Sequence, residues 1–339
     1  MRRCRLGFRI RSACILAISS LVLGLMSVAQ AAAEQPRRIG RLLMADPCPP
    51  NNLFEAEDAL TTALAERGWK QGQNFVWDCV SAGGRLWDLD KLAAELVARQ
   101  PELLETQSSP AIHALKATKT TIPIVMSTPD PVGDGFVQSL ARPGGNITGV
   151  ADLGLDLAVK RIELARELIP ALTKVAVLER VGGDATYYKR LEDQLNRAVD
   201  RFGIEWRVYP HQSRPEDLEQ HFRAMQQDGY RLLYLIATPF TFGNRKLISD
   251  LALKYGIHML SEHPQFAQDG ALLSYGVDND EVQRHMAPQI DAVLRGARPE
   301  TLPIDQMTKL QLVINLKTAR ALGVEIPPDL LVRADEVIE

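Results

Sequence analysis

Hydrophobic and polar positions along the chain follow two alternating periods. Apolar runs of strand length are followed by longer segments in which apolar side chains recur every three or four positions. In the first half, this pattern predicts strands at 39–44, 75–80, 103–106 and 122–127, and helices at 52–67, 88–99 and 110–119. Strands that alternate with helices form βαβ units, so the pattern predicts a parallel sheet with helices on its faces.

A second series begins after the Arg142-Pro-Gly-Gly-Asn146 break near the middle of the chain. It predicts strands at 175–178, 206–209, 232–237, 258–260 and 272–275, and helices at about 184–202, 215–227 and 241–255. Because each series is long enough for a core of its own, we predict an α/β fold of two doubly wound, Rossmann-like lobes. A single barrel of eight βα units is the alternative, which periodicity alone does not exclude.

The first 33 residues have a different pattern. Five arginines precede an apolar run at 13–28, and the small residues Ala29-Gln30-Ala31 and Ala31-Ala32-Ala33 follow it. This order predicts a cleaved signal peptide at 1–33 and a periplasmic location. A transmembrane anchor is the alternative, although the run is shorter than the roughly 20 residues that span a bilayer. Without this segment, 306 residues remain, with 34 basic and 42 acidic side chains and a net charge of −8.

Composition and motifs exclude several classes of function. The full chain has 339 residues, is 46% hydrophobic and carries a net charge of −3, which argues against a nucleic-acid partner. It lacks the glycine-rich nucleotide-binding motifs, the Gly-x-Ser-x-Gly motif of hydrolases, and the Cys-x-x-Cys and His-Glu-x-x-His motifs. We therefore expect no cofactor and no resident metal.

Polar, small or aromatic residues recur where the predicted strands stop. They are Asp46, Ser108, Ser109, Thr128, Asp130, Arg180, Asp184, Thr238, Phe240, Glu262 and Tyr275. In open parallel sheets, ligands bind outside the carboxyl ends of the strands, so the set predicts a ligand cleft between the lobes. Any single member could instead cap a helix or form a turn.

The chemistry of this set suits a small zwitterion. Asp46, Asp130 and Glu262 offer carboxylates to an ammonium group. Arg180 and the backbone amides that follow Ser109 offer positive charge to a carboxylate. The two aromatic members of the set can stack on an apolar body, but a chain that is only 6% aromatic suits a sugar less well.

Two cysteines remain outside the predicted signal peptide. Cys48 follows the first predicted strand and Cys79 closes the second. These strands would be neighbours in a doubly wound lobe and the compartment is oxidising, so we predict a disulfide. Two buried thiols are the alternative.

Several segments then resemble a known family. They are Thr121-Ile-Pro-Ile-Val125, Pro129-Asp-Pro-Val132, Arg142-Pro-Gly-Gly-Asn-Ile-Thr-Gly149, Leu273-Ser-Tyr-Gly276, Leu312-Val-Ile-Asn-Leu-Lys-Thr-Ala-Arg-Ala-Leu-Gly323 and Arg333-Ala-Asp-Glu336. The chain is similar through them to the ABC-transporter substrate-binding proteins of the tryptophan-binding type. The resemblance implies a type I periplasmic-binding-protein fold without enzyme activity, in which three crossovers join discontinuous lobes, here 34–149 plus 280–305 and 150–279 plus 306–339.

The resemblance also implies a function. The protein would close around a small ligand by hinge rotation and deliver it, as a monomer, to an ABC permease and its ATPase. The ligand would be an amino acid, aromatic or branched, or a related small carboxylate. Asp130 would line the cleft, and the hinge would include Gly144, Gly145 and Gly276. A periplasmic enzyme with Asp130 and Glu262 as acid and base, or a ligand-sensing module, is the alternative.

Overall fold

The strands of the protein form two separate sheets, each covered by helices on both faces. The computed structural model describes residues 35–44, 47–54, 58–152, 157–180 and 185–339; the predicted signal peptide lies outside them. Residues Arg37–Glu339 form one compact unit, to which the description below refers. Two sheets confirm the two-lobe prediction and rule out the barrel.

The first sheet has six strands in the spatial order β11-β5-β4-β3-β1-β2, and all its pairs are parallel. Its strands are β1 (Arg37–Leu43), β2 (Phe75–Ser81), β3 (Leu103–Gln107), β4 (Ile124–Thr128), β5 (Ile147–Ala151) and β11 (Asp305–Gln306). Two of these strands were not predicted from the sequence: β5, directly after the Pro-Gly-Gly loop, and the two-residue β11.

The second sheet has seven strands in the order β13-β12-β10-β9-β8-β6-β7. Its strands are β6 (Lys174–Arg180), β7 (Glu205–His211), β8 (Leu232–Leu235), β9 (His258–Ser261), β10 (Leu273–Gly276), β12 (Gln311–Asn315) and β13 (Glu336–Ile338). The pairing of β10 with β12 is antiparallel, so this sheet is mixed, where the sequence analysis predicted a purely parallel one.

Twelve helices surround the sheets in the described part of the chain. In the first lobe they are α1 (Ala59–Glu66), α2 (Leu89–Ala98), α3 (Ser109–Ala117) and α10 (Asn279–Leu294). In the second lobe they are α4 (Ala158–Leu168), α5 (Ala185–Phe202), α6 (Leu218–Gln227), α7 (Pro239–Gly243), α8 (Arg245–Lys254), α9 (Pro264–Gln268), α11 (Leu316–Leu322) and α12 (Pro328–Arg333). None of these helices combines the length and apolar character that a membrane span requires.

Two predicted helices have different bounds in the structure. The helix predicted from residue 52 begins at Ala59, because the Asp58 side chain accepts the Thr61 amide and caps the helix there. The helix predicted at 241–255 is two helices, α7 and α8, which meet at Asn244 in a non-helical conformation.

Alternation along the strands explains the layered core. Ile39 belongs to an apolar cluster that includes side chains of α1 and α10, whereas Leu42 belongs to one that includes α2 and α3. In the second sheet, Val177 packs with α4 and α5, and Leu178 packs with α6 and α8. Successive strand residues point to opposite faces, so strands covered on both faces read as continuous apolar runs.

The chain passes between the lobes three times: after β5, after β10, and between β11 and β12. All three crossings leave the carboxyl edge of a sheet. β5 extends to Ala151 and β11 to Gln306, so both strands overrun the predicted lobe boundaries by one or two residues.

The structure corrects part of the predicted hinge. Gly144 and Gly145 precede β5 at the amino edge of the first sheet, where the carbonyl of Asn146 accepts the Ile124 amide. The Gly144 amide donates to the Glu300 carbonyl, which also belongs to the first lobe. These two glycines are therefore remote from the crossings, whereas Gly276, the last residue of β10, lies directly before one.

Candidate functional site

Three hydroxyl groups lie at the carboxyl edge of the first sheet, two where β3 meets α3 and one at the end of β4. Ser109, the first residue of α3, lies 2.8 Å through its Oγ from Thr128 Oγ1 at the end of β4. The same Oγ donates to Asp134 Oδ2 at 2.8 Å, and Thr128 Oγ1 lies 3.5 Å from that carboxylate oxygen. The short chain of hydrogen bonds fixes the start of α3 against the turn that follows β4.

Ser108 has an unusual backbone conformation and an unsatisfied side chain. Its φ of 88° and ψ of 133° lie in a region that non-glycine residues rarely adopt. Such strain, of about 1–3 kcal/mol, clusters at functional sites. The buried Ser108 Oγ has no hydrogen-bond partner among the described residues. The structure thus brings Ser108, Ser109 and Thr128 together, as the sequence analysis expected.

Asp130 faces a side chain from the other lobe. Its Oδ2 lies 2.9 Å from Nη1 of Arg190 on α5, and Asp134 Oδ1 lies 3.0 Å from Arg190 Nη2. Both aspartates follow the carboxyl end of β4, and α5 follows the carboxyl end of β6. The contact therefore shows that the two sheets face each other through these edges. It also means that Asp130 is already paired with a cation.

Glu262 is part of a buried network in the second lobe. Its Oε1 lies 3.2 Å from Nη1 of Arg161, and its Oε2 accepts the Ala237 amide. Arg161 Nη1 also donates to the Tyr234 hydroxyl at 2.8 Å, and Arg161 Nε donates to the Tyr275 carbonyl. Burial raises the pKa of Tyr234 and keeps it neutral. Glu262 is thus balanced by Arg161, which corrects its assignment as a receptor for an ammonium group.

Other members of the predicted set have structural partners. The Phe240 ring stacks on His211 with centroids 4.7 Å apart, and the Thr238 hydroxyl caps α7 in a capping box with Thr241. Tyr275 packs against the core of the second lobe. Gly276 has no space for a side chain, because a Cβ there would lie 2.1 Å from the Glu262 carbonyl oxygen.

Three residues of the predicted set have side chains outside the described part of the structure. Asp46 and Asp184 lie outside the described residues. Arg180 ends β6, but its side chain also lies outside the described part of the structure.

The structure adds a buried charge cluster that the sequence analysis missed. Arg41 on β1 pairs with Glu105 on β3 (Nε to Oε2, 2.9 Å) and with Asp58 (3.2 Å). Its guanidinium lies 4.3 Å from the Phe54 ring centroid and 4.8 Å from that of Trp77. Burial raises the pKa of Glu105, and Arg41 opposes that rise. The sequence did contain a signal for this pair: Arg41 and Glu105 each interrupt an otherwise apolar strand segment. Charged side chains are almost never fully buried unless they are paired, so two such residues in neighbouring strands indicate an ion pair.

The cysteine prediction is confirmed. Cys48 and Cys79 form a disulfide with their Cα atoms 5.8 Å apart. Cys79 lies on β2 opposite Arg41 of β1, so the bond ties the segment after β1 to the neighbouring strand.

The described residues contain no cluster of three or more His, Cys, Asp or Glu side chains that could hold a metal ion. His263, next to Glu262, makes a contact through Nδ1 to the Val277 carbonyl. Asp130 and Glu262, the acid and base of the enzyme alternative, each pair with a guanidinium, Asp130 with Arg190 and Glu262 with Arg161.

The structure is similar to solved two-lobe proteins. A conserved domain protein from Vibrio cholerae aligns with a TM-score of 0.79 and 24% identity, over 89% of this chain and all of that one. An ABC domain from Streptococcus pneumoniae, solved in complex with L-Trp, aligns with a TM-score of 0.77 and 23% identity, over 90% of this chain and all of that one. At these identities, the likeness establishes the fold.

Sequence comparison supplies the family. The chain is 25% identical over 276 residues to a tyrosine-binding protein of Clostridioides difficile strain R20291. The aligned region covers 81% of this chain and 78% of that protein. The model of the ABC transporter substrate binding protein family matches residues 49–338. Together with the two-lobe fold, this match shows that the chain belongs to the ABC transporter substrate-binding protein family.

Proposed function

We propose that the protein is a periplasmic solute-binding protein that captures an amino acid between its lobes and delivers it to an ABC permease and its ATPase. The family, the two-lobe fold and the predicted signal peptide support this proposal. The similarity to a tyrosine-binding protein and to a domain solved with L-Trp makes aromatic amino acids the first ligands to test. Branched amino acids and related small carboxylates come next.

The observation that carries the proposal is the start of α3. The first amides of a helix have no partner within the helix, and the helix dipole makes this end positive. Ser108 adds a buried hydroxyl without a partner in the described structure, directly before the helix. A carboxylate bound here would accept from Ser108 and from free amides of α3. We therefore place the ligand carboxylate at Ser108 and Ser109.

A second cluster in the first lobe carries an excess of negative charge. The cluster of Arg41, Asp58 and Glu105 sets two carboxylates against one guanidinium. Gln107, two residues before Ser109, donates to Glu105 and links the cluster to the edge of the sheet. An ammonium group would offset the excess, which gives the site the charge pattern of an α-amino acid.

Ligand binding is expected to favour the closed arrangement of the lobes. A ligand that touches both lobes stabilises the closed state by the difference between its affinities for the closed and open states. The closed surface would then be presented to the permease.

The first prediction concerns ligand class. We expect L-Trp or L-Tyr at 100 times its dissociation constant to stabilise the protein by about 2.7 kcal/mol and to raise its melting temperature. Tryptamine, which lacks the carboxylate, and indole-3-propionate, which lacks the ammonium group, should give much smaller shifts. Differential scanning fluorimetry and calorimetry measure these effects. A screen in which only sugars or metal salts shift the melting temperature would contradict the zwitterion site.

The second prediction concerns the carboxylate position. Ser108→Ala is expected to weaken binding of the cognate amino acid about 5- to 20-fold, because one charge-assisted hydrogen bond is lost. Ser139→Ala is the matched control, since Ser139 bonds only within its own exposed turn at Arg142. Titration calorimetry with the amino acid and its amide derivative measures the change. The amide keeps a carbonyl oxygen but has no negative charge, so Ser108→Ala should weaken its binding less than that of the amino acid. A Ser108→Ala variant that retains full affinity for the amino acid would contradict this placement.

A further inference from the structure

Arg190 joins the two lobes through a pair of carboxylates. It lies on α5 in the second lobe, whereas Asp130 and Asp134 lie in the turn after β4 in the first lobe. We propose that Arg190, Asp130 and Asp134 form an interlobe latch that holds the protein closed in the absence of ligand. The latch concerns the unliganded protein, so it goes beyond the proposed function and does not depend on which ligand is bound.

The geometry favours a specific contact over a loose surface pair. The two terminal nitrogens of Arg190 approach different aspartates at 2.9 and 3.0 Å, so the guanidinium fork bridges both carboxylates. The Asp134 side chain is only 8% exposed and that of Arg190 is 27% exposed, whereas that of Asp130 is 47% exposed, so the Asp134 arm is the partly buried one. Partly buried ion pairs are less screened by salt than fully exposed ones. The arrangement therefore has the features of an ion pair that contributes measurable free energy.

Each carboxylate is held in place by its own lobe. The other oxygen of Asp130 accepts the Gly133 amide at 2.7 Å, and the other oxygen of Asp134 accepts the Ser109 hydroxyl at 2.8 Å. The first lobe thus presents a preorganised acidic receptor, and little conformational freedom is lost when Arg190 enters it.

Gly133 provides an independent observation. A Cβ at this position would lie 2.2 Å from Asp130 Oδ2 and 2.6 Å from Arg190 Nη2. Both neighbours are ends of side chains, so an alanine would displace the carboxylate and the guanidinium. The missing side chain thus leaves the space in which the latch forms.

The latch is also connected to the predicted carboxylate position. Asp134 forms an ion pair with Arg190 and accepts a hydrogen bond from Ser109, and Ser109 is hydrogen-bonded to Thr128. If the proposed function holds, Ser109 links Asp134 of the latch to the start of α3, where the ligand carboxylate is placed. Without the latch, part of the ligand's binding energy must close the lobes, which weakens the apparent affinity.

The test measures closure of the unliganded protein by small-angle X-ray scattering. We compare the wild type with Arg190→Met, which removes the cation, and with Gly133→Ala, which retains every charge. The wild type should have the smallest radius of gyration at 20 mM salt and should expand as salt is raised to 500 mM. Both variants should be expanded at all salt concentrations and should bind the cognate ligand about 10-fold more weakly.

Two controls separate the latch from a purely structural role. Arg207→Met removes an exposed ion pair to Asp228 within the second lobe and should leave the radius of gyration unchanged. Arg190→Lys retains a charge that can reach one carboxylate and should give an intermediate, salt-sensitive radius. Urea unfolding verifies that each variant is folded. Because no ligand is required for the scattering experiment, a failure of the proposed ligand site would not affect its outcome.

Two results would overturn the proposal. A radius of gyration that is unchanged by both Arg190→Met and Gly133→Ala would show that the contact does not hold the lobes together. Tighter ligand binding by Arg190→Met would show that the guanidinium competes with the ligand for the carboxylates.

Discussion

Arg161→Met is expected to lower the free energy of unfolding by about 3–5 kcal/mol, because it leaves the Glu262 carboxylate buried without its cation. The Arg161 side chain is fully buried, and that of Glu262 is 5% exposed. A buried unpaired charge costs far more than the ion pair itself contributes, since water can no longer solvate it. Urea denaturation of the purified protein measures the loss.

The same substitution should disturb the second crossing between the lobes. Arg161 Nε donates to the carbonyl of Tyr275, one residue before Gly276 at the end of β10. Arg161 thereby fixes the end of this strand against α4. We expect Arg161→Met to increase amide hydrogen exchange at residues 275–278 more than the overall destabilisation accounts for.

A double variant tests the assignment to the buried charge. Glu262→Gln keeps an oxygen that can accept the Ala237 amide but removes the negative charge. Arg161→Met combined with Glu262→Gln should therefore be more stable than Arg161→Met alone, by at least half of the loss. Arg207→Met, in an exposed ion pair, should leave the urea midpoint unchanged. If Arg161→Met lowers the free energy of unfolding by less than about 1 kcal/mol, Glu262 is hydrated, as in a surface ion pair.

Removal of the disulfide is expected to have a comparable effect on stability. The Cys48–Cys79 bond has a sequence separation of 31, for which the chain-entropy model gives about 3–4 kcal/mol of stabilisation at 25 °C. We expect Cys48→Ala combined with Cys79→Ala to lose this amount in urea unfolding. The wild type in dithiothreitol should approach the stability of the double variant, and the double variant should not respond to dithiothreitol.

The disulfide should also influence the proposed ligand site. It anchors the segment that connects β1 to α1, and Asp58 at the end of this segment both caps α1 and pairs with Arg41. Affinity for the cognate amino acid should therefore fall in the double variant even at temperatures where it is fully folded. Unchanged affinity would show that the segment holds its position without the bond.

Local patterns predicted most of the fold. A strand covered on both faces requires consecutive apolar residues, and an amphipathic helix requires apolar residues every three or four positions, so both are visible in a short window. This is why the strands at 103–106 and 175–178 and the α/β class agree with the structure. The elements not predicted were β5, β11, β12, β13, α4 and α9 to α12. Residues 241–255 were predicted as one helix, because a single break at Asn244 leaves little periodic signal.

The candidate site was predictable only in part. Parallel strands bring their carboxyl ends to one edge, which is sufficient to predict that Ser108, Ser109 and Thr128 lie together. The sequence does not reveal which charges are already neutralised. Glu262 appeared available, but its partner Arg161 is 101 residues away in the chain.

The sequence by itself determined the α/β class and the family, because periodicity and motifs are local properties of the chain. The choice between two lobes and a barrel, and between a disulfide and two thiols, came from the tertiary structure. Tertiary structure alone decided the partners of the charged residues: Arg41 with Glu105, Arg161 with Glu262, and Arg190 with Asp130 and Asp134. The physical reason is that an ion pair depends on distance in space and on exclusion of water, and both arise only when strands and helices far apart in the chain pack together.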